Sequence, residues 1–325
     1  MILGVDVSGW NTSINWKTLY DGGVRFAIVK LTQGTSSLTI LARDHIEGAR
    51  KVGILVGAYH WNDPMLNDNQ QVSFFASQLE KHNIHLAYVD VEQYWQDWNE
   101  WYKRIITKFI SSTRISQSAY NMMTGIRNLG YNGQIYSRWS FIKERASPMQ
   151  FWIPSEESWY AHYPYATGRI NANWQDFEKG GRWYPGIPQP SLPSNVKWKI
   201  WQFSGDKFIL PGTGGSPIDL NFFPGTEADL IKFFTGDNTE LPNPEPPIVI
   251  EPPISEVVMP KLKVISEVRL RTSPSTATLA NYKRMRKVGE IVNVEEMKIF
   301  SSTNIWVRDN EGWSALVYGK YLYME

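Results

Sequence analysis

Two carboxylates stand two residues apart at the end of an apolar run in HLAYVDVEQYW, residues 85 to 95: Asp90 and Glu92. In an extended strand alternate side chains share a face, so both acids look into one space while Val89 and Val91 look into another. Like charges crowded in this way cost energy unless water, hydrogen bonds or a proton relieves them. A carboxylic acid kept protonated beside an ionised one is what glycosidic cleavage needs. One group protonates the leaving oxygen and another handles the positive charge that develops on the sugar. A solvated strand end and a metal site are the plainer readings of the same spacing.

The elements that must position these acids follow from the hydrophobic pattern. ILGVDVS, RFAIVKLTQG, GILVGAYHW, HLAYVDVE, GQIYSRW, SWYAHY and KWKIWQFSG read as strands. LARDHIEGARKVG, NDNQQVSFFASQLEKHN and RISQSAYNMMTGIRNLG read as helices between them, the last two ending in Asn or Gly. This alternation is α/β and predicts a mainly parallel sheet, closed as an eight-strand barrel if PIDLNFF supplies the last strand. Barrels of this kind place chemistry at the C-terminal ends of their strands. Unusual polar residues gather at those ends: Asp6, Gln33, His60 with Trp61, and Asp90 with Glu92.

Composition excludes several classes. The 325 residues carry no cysteine, which removes disulfides, thiolate zinc sites and thiol nucleophiles together. A net charge of +1 does not suit a dedicated nucleic-acid binder. No stretch reaches the ~18 apolar residues of a membrane span, so neither nucleic acid nor membrane is expected as a partner. Neither a G-x-S-x-G elbow nor an H-E-x-x-H pair occurs, and no metal or other cofactor is expected. The 15 Trp, 16 Tyr and 14 Phe suit a large core and equally suit stacking on sugar faces. The start, MILGVDVSGW, has no basic region and meets Asp6 early, so no secretion signal is expected from it.

Between Leu241 and Pro260 stand seven prolines, and residues 237 to 260 hold five acids without a Lys or Arg. This reads as an extended linker between residues 1 to 236 and 261 to 325. The last segment alternates short β-rich runs with turns and reads as a small all-β barrel. It holds eleven Lys or Arg against seven Asp or Glu, including YKRMRK at 282 to 287. That excess suits anionic wall polymers, although such a run is more commonly a solvated face.

Taken in order, GVDVSGWN, INWKTLYDGGVRFAIVKLTQG, GILVGAYHW, YVDVE, IYSRW, SWYAHY, WQFSG and IDLNFF resemble the family 25 glycoside hydrolases, the muramidase lysozymes. The resemblance covers residues 1 to about 233. VRLRTSPST, VGEIVNVEE, WVRD and GWSALVYGKYL resemble a bacterial SH3-type cell-wall-binding domain, with a departure at Thr272 to Pro274, where the usual glycine is lacking. Together they imply an irregular TIM-like β/α barrel followed by a small SH3-like barrel.

The resemblance implies an acidic site of Asp6, Asp90, Glu92 and Asp219. Glu92 would be the general acid, kept neutral by three neighbouring carboxylates. Asp90 would orient the sugar's 2-acetamido group, with Asp6 and Asp219 on the floor. Attack by the acetamido oxygen with retention is the favoured route, and direct displacement by water is its rival. Tyr59, Trp61, Tyr136 and Tyr163 are candidate sugar contacts, Tyr136 and Tyr163 by the resemblance. His60 reads as a structural histidine and Asp63 as a solvated acid. Gln33 stands where many relatives have Glu. The aperiodic segment from Pro164 to Val196 reads equally as a wall on one side of the groove and as an ordered decoration.

The implied activity is cleavage of the β-1,4 bond from N-acetylmuramic acid to N-acetylglucosamine in bacterial peptidoglycan. A phage or prophage endolysin, made in the host cytoplasm and released through a holin, is the expected setting. A bacterial autolysin, export by another route, a chitinase-like hexosaminidase and a non-catalytic wall binder are the alternatives. The sequence carries no sign of oligomeric state.

Overall fold

The computed structural model describes residues 1–236, 261–273, 282–301, 304–318 and 321–322. The chain divides into two compact units, Met1–Pro247 and Ile248–Glu325. The expected linker at 237–260 lies outside the described residues.

The first unit is a closed barrel of eight strands: β1 (Ile2–Val7), β2 (Val24–Gln33), β3 (Leu55–Trp61), β4 (Leu86–Asp90), β5 (Asn132–Ser137), β6 (Ser158–Ala161), β7 (Trp198–Ile209) and β8 (Pro217–Phe223). Neighbours from β1 to β7 pair in parallel, and β8 closes the ring antiparallel to both β7 and β1. The expected eighth strand therefore exists and runs opposite to the others. Its start, not its end, lies at the rim where the parallel strands finish.

Helices α1 (Trp16–Asp21), α2 (Ala42–Lys51), α3 (Asp68–Lys81), α4 (Trp98–Tyr102), α5 (Ser112–Asn128), α6 (Trp139–Arg145) and α7 (Glu227–Thr235) complete this unit. The three longest are the three expected. Their ends follow local chemistry: Asn67 accepts the Gln70 N–H at the start of α3, and Ser111 that of Arg114 at α5. Thr226 and Asp229 form a reciprocal cap on α7, which ends at Gly236 with φ 76°, a left-handed conformation that glycine adopts without strain.

Period-two alternation sorts the strand residues into two cores. Val5, Val7, Ala27, Val29, Ala87 and Val89 face outward into the larger cluster, together with Ile46 of α2, Phe75 of α3 and Met122 of α5. The opposite parity fills the barrel interior with Phe26, Ile28, Leu55, Leu86, Tyr88, Trp159 and Phe223, joined by Phe233 and Phe234 of α7. Space there is tight: a Cβ on Gly4 would stand 2.3 Å from the Phe26 ring. Towards the rim the same inward parity turns polar, with Asp6, Asp90, Gln202, Asp219 and Asn221. The strands are thus apolar where they must pack and polar where the barrel opens.

Among its described residues the second unit is all β. Its larger sheet runs Tyr282–Arg286, Val268–Arg271, Gly312–Tyr318, Asn304–Asp309, Glu296–Ser301, every pair antiparallel, with Tyr321–Leu322 added to Gly312–Tyr318. Lys261–Lys263 pairs with Ile291–Asn293 separately. Val264, Val268, Val292, Trp306, Val307 and Trp313 form its core. The basic run is tied down rather than free. Arg286, 2% exposed, meets Asp309 at 2.7 Å and donates to Ser314 Oγ at 2.9 Å. Arg284 pairs with Glu290 and Glu311, and Lys287 with Glu267.

Candidate active site

β1 and β8 lie side by side with Asp6 opposite Asp219, and β3 and β4 with Trp61 opposite Asp90. β4 ends at Asp90, so Glu92 stands just beyond the strand rather than within it. The two still share a site: Glu92 repels Asp90, and Asp6 and Asp219 feel Glu92 as well. All four sequence-named acids therefore meet at one rim.

Asp6 is the best supported of them. Its Oδ1 accepts from Asn221 Nδ2 at 2.7 Å and from Gln202 Nε2 at 2.9 Å. Burial nevertheless pushes its pKa up to about 6 against these two hydrogen bonds, helped by the charge of Glu92. Asp219 accepts the backbone N–H of Asp206 at 2.7 Å, and Asp206 holds a left-handed φ of 51° to present it. Burial, then Asp6, raises Asp219 well above the usual carboxylate range. Asp90 is 2% exposed, and its Oδ1 is buried with no hydrogen-bond partner. Burial, then Glu92, likewise lifts it well above that range. A buried carboxylate oxygen without a donor costs far more when charged than when the group is neutral.

Glu92 differs from its neighbours. Its side chain is 24% exposed and lies 3.6 Å from Arg138 Nε. Burial raises its pKa, while Arg138 and then Lys30 pull it down. The sequence reading named neighbouring carboxylates as the cause of its neutrality. In the structure partial burial is the leading cause, and the mutual repulsion falls on Asp90, Asp219 and Asp6. Lys30 also donates to Gln33 Oε1 at 3.0 Å. Gln33 brings no charge of its own, so Asp90 and Glu92 are the acids that Lys30 meets, and burial lowers the ammonium pKa.

The aromatic candidates divide by exposure. Tyr163, 42% exposed, lines the opening, whereas Tyr136 is only 7% exposed beneath it. Both hydroxyls donate to Gln202 Oε1, at 2.6 and 2.7 Å. Gln202 is thereby oriented, its amide nitrogen left to Asp6. Tyr136 thus supports the floor. Tyr59 is half-buried among the four acids, whose charges, after burial, push its phenol pKa well up. Trp61 is half-buried, with Lys30 Nζ 4.7 Å from its ring centroid and its Nε1 donating to Gln93 Oε1 at 3.1 Å. Gln93 in turn donates to Asp63 Oδ1 at 2.9 Å, so Asp63 holds a site residue in place rather than standing as a solvated acid.

His60 is fully buried between Thr32 Oγ1 at 2.8 Å and Gln71 Oε1 at 3.1 Å, and burial lowers its pKa to about 4. It is a structural neutral imidazole. The segment after Pro164 packs Trp174 and Phe177 into the core. Its residues Tyr165 to Gly168 line a cavity of about 240 Å³ with Tyr163, Ser204, Asp206 and Lys207. No three acids or histidines among the described residues are arranged to hold a metal ion.

Sequence reasoning missed Gln202, Asn221 and Arg138. Gln202 and Asn221 occupy inward positions of apolar strands, in WQF and LNF, where an amide needs a reason. That parity was the available signal. Arg138 sits one residue beyond β5, the place where β4 puts Val91 and Glu92.

Known proteins share this architecture. A bacterial lysozyme from Streptomyces coelicolor superposes with a TM-score of 0.55 at 22% identity, over 72% of this chain and 97% of that one. The muramidase from Acremonium alcalophilum gives 0.54 at 21%, over 73% and 100%. In sequence, Lysozyme M1 of Streptomyces globisporus is 24% identical over 253 residues, 71% of this chain and 70% of that protein. Residues 5–212 match the model of glycosyl hydrolases family 25, more than half of the chain, and the protein belongs to that family.

Proposed function

We propose that this glycoside hydrolase is a lysozyme that cuts the β-1,4 bond between N-acetylmuramic acid and N-acetylglucosamine in bacterial peptidoglycan. The observation that carries the reading is the inequality among four acids at one rim. Glu92 is partly open to the groove beside Arg138, whereas Asp90 is buried with an unpartnered oxygen. The family and the lysozymes among its relatives support the substrate class.

In this reading Glu92 gives its proton to the glycosidic oxygen as the C1–O bond breaks. The 2-acetamido oxygen attacks C1 on the opposite face, and Asp90 accepts the acetamido N–H to align it. Asp6 and Asp219 offset the charge on the ring. Water then adds to C1, loses a proton to Glu92 and releases the acetamido group, with net retention. Direct displacement by water gives the inverted anomer, so NMR of the first-formed anomer separates the routes.

The bond is tested by mass spectrometry of fragments from purified peptidoglycan after borohydride reduction. Reduced muramic acid supports the reading. Reduced glucosamine ends mean the other bond, and freed peptides without new sugar ends sink it. Residues 1–236 are the proposed catalytic part, and 261–325 a proposed wall-binding module of SH3 type. The ion pairs of Arg284, Arg286 and Lys287 turn its proposed recognition of anionic wall polymers away from that cluster. A phage endolysin is the proposed setting, tested by whether lysis from inside a host requires a co-expressed holin.

A further inference from the structure

The chain makes a Trp-rich excursion after β4, and its ring contacts start inside the active site. Trp61, opposite Asp90, lies 6.2 Å from Trp98, which lies 6.3 Å from Tyr102. Trp95 is the core of the excursion at 3% exposure, with Trp101 stacked on it at 5.1 Å. Arg104, held at φ 58°, brings its guanidinium 5.1 Å from the Trp101 centroid, so Trp101 is already occupied. Tyr102 is 72% exposed, and Trp98 is half-buried, its ring 5.3 Å from Trp95 and 5.5 Å from Trp101.

The excursion is built to hold those rings still. Trp95 and Phe109 form a β-bridge, with Gln96 N–H donating to Lys108 and Ile110 N–H to Tyr94. Asp97 caps α4, and Glu100 accepts from Thr107 N–H, Thr107 Oγ1 and Lys108 N–H. Large aromatic surface kept exposed on a tied-down loop, continuous with a catalytic groove, is a mark of ligand contact.

We propose that Trp98 and Tyr102 form a remote track for the same glycan strand, stacking on saccharide units beyond those at the four acids. This inference rests on the functional reading above. The occupant is saccharide because ring contacts run from Trp61 through Trp98 to Tyr102 at centroid spacings of 6.2 and 6.3 Å, on the scale of one sugar, and because the nearby carboxylates of Asp97 and Glu100 are spent on the loop itself.

The test is steady-state hydrolysis of peptide-free glycan strands fractionated by length, comparing Trp98→Ala, Tyr102→Ala and Trp98→Phe with wild type. The expected result is that the KM advantage of long strands over a tetrasaccharide shrinks by about 3- to 10-fold in each alanine variant. Trp98→Phe is expected to keep most of it. An equal KM change on short and long strands, or none, overturns the track. Calorimetric titration of Glu92→Gln with the same fractions, with and without Tyr102→Ala, decides the point apart from catalysis. If wild type cuts no glycan, the functional reading fails. A length-dependent affinity lost with Tyr102 still supports the track, and equal affinities overturn it.

Discussion

The barrel rim and the C-terminal β unit each concentrate charge, and they treat it in opposite ways. At the rim four carboxylates meet two cations, one of them 3.6 Å away, and one buried carboxylate oxygen has no partner at all. In the β unit Arg284, Arg286 and Lys287 each meet an acid within 3.0 Å. The first arrangement keeps protons on acids that would ordinarily lose them. The second only closes a fold. A run of like charge in sequence is therefore weak evidence of function, and unpaired buried charge in structure is stronger.

The sharpest break of this comparison removes one charge from each region. Glu92→Gln keeps the shape and takes away the transferable proton, so kcat on peptidoglycan should fall about 10²- to 10⁴-fold with the melting temperature little changed. Asp309→Ala should do the reverse. It leaves the buried Arg286 guanidinium with Ser314 and the more distant Glu290, 3.8 Å away, and costs the β unit about 3 kcal/mol, seen as faster amide exchange in Gly312–Tyr318. Hydrolysis of soluble glycan should persist. If Asp309→Ala abolished that hydrolysis or Glu92→Gln spared it, the division into working and structural charge would be wrong.

A smaller effect should appear in the pH dependence of stability. Asp6 binds its proton more tightly folded, near pH 6, than at its ordinary 3.8. A raised carboxylate pKa favours the folded state at low pH, and this advantage is lost as pH rises from about 4 to about 6. The difference corresponds to about 3 kcal/mol. Asp6→Asn retains an acceptor for Gln202 and Asn221 without the charge. The variant should therefore melt several degrees above wild type at pH 7, the gap closing towards pH 4. Thermal scans across that range check it, and a constant gap would remove burial as the cause.

Much of this was legible in the chain. Strand periodicity located all eight barrel strands, because a buried strand must be apolar along its length. The rim acids stood out because they break those same runs. What the pattern hid was orientation in space. PIDLNFF reads alike in either direction, so the antiparallel closure of β8 needed its pairing with β1. Gln202 joins two tyrosines and Asp6 across gaps of 39, 66 and 196 residues, and no local spacing encodes such a hub. YKRMRK looked like a patch because sequence shows the cations without Asp309, Glu290 and Glu267 folded against them.

The smallest expected effect concerns Arg138, since both partners are partly open to solvent, 50% and 24% exposed. An ion pair so placed is worth about 0.2 to 1 kcal/mol, equivalent to roughly 0.2 to 0.7 of a pH unit. Arg138 lowers the Glu92 pKa, so Arg138→Gln should raise it. A general acid must hold its proton to work, and activity is lost as pH rises through its pKa. The alkaline limb of kcat/KM should accordingly move to higher pH by that fraction of a unit, with the acidic limb left in place. A shift to lower pH would mean that the limb belongs to a group Arg138 does not stabilise as an anion, and Glu92 would no longer be the acid.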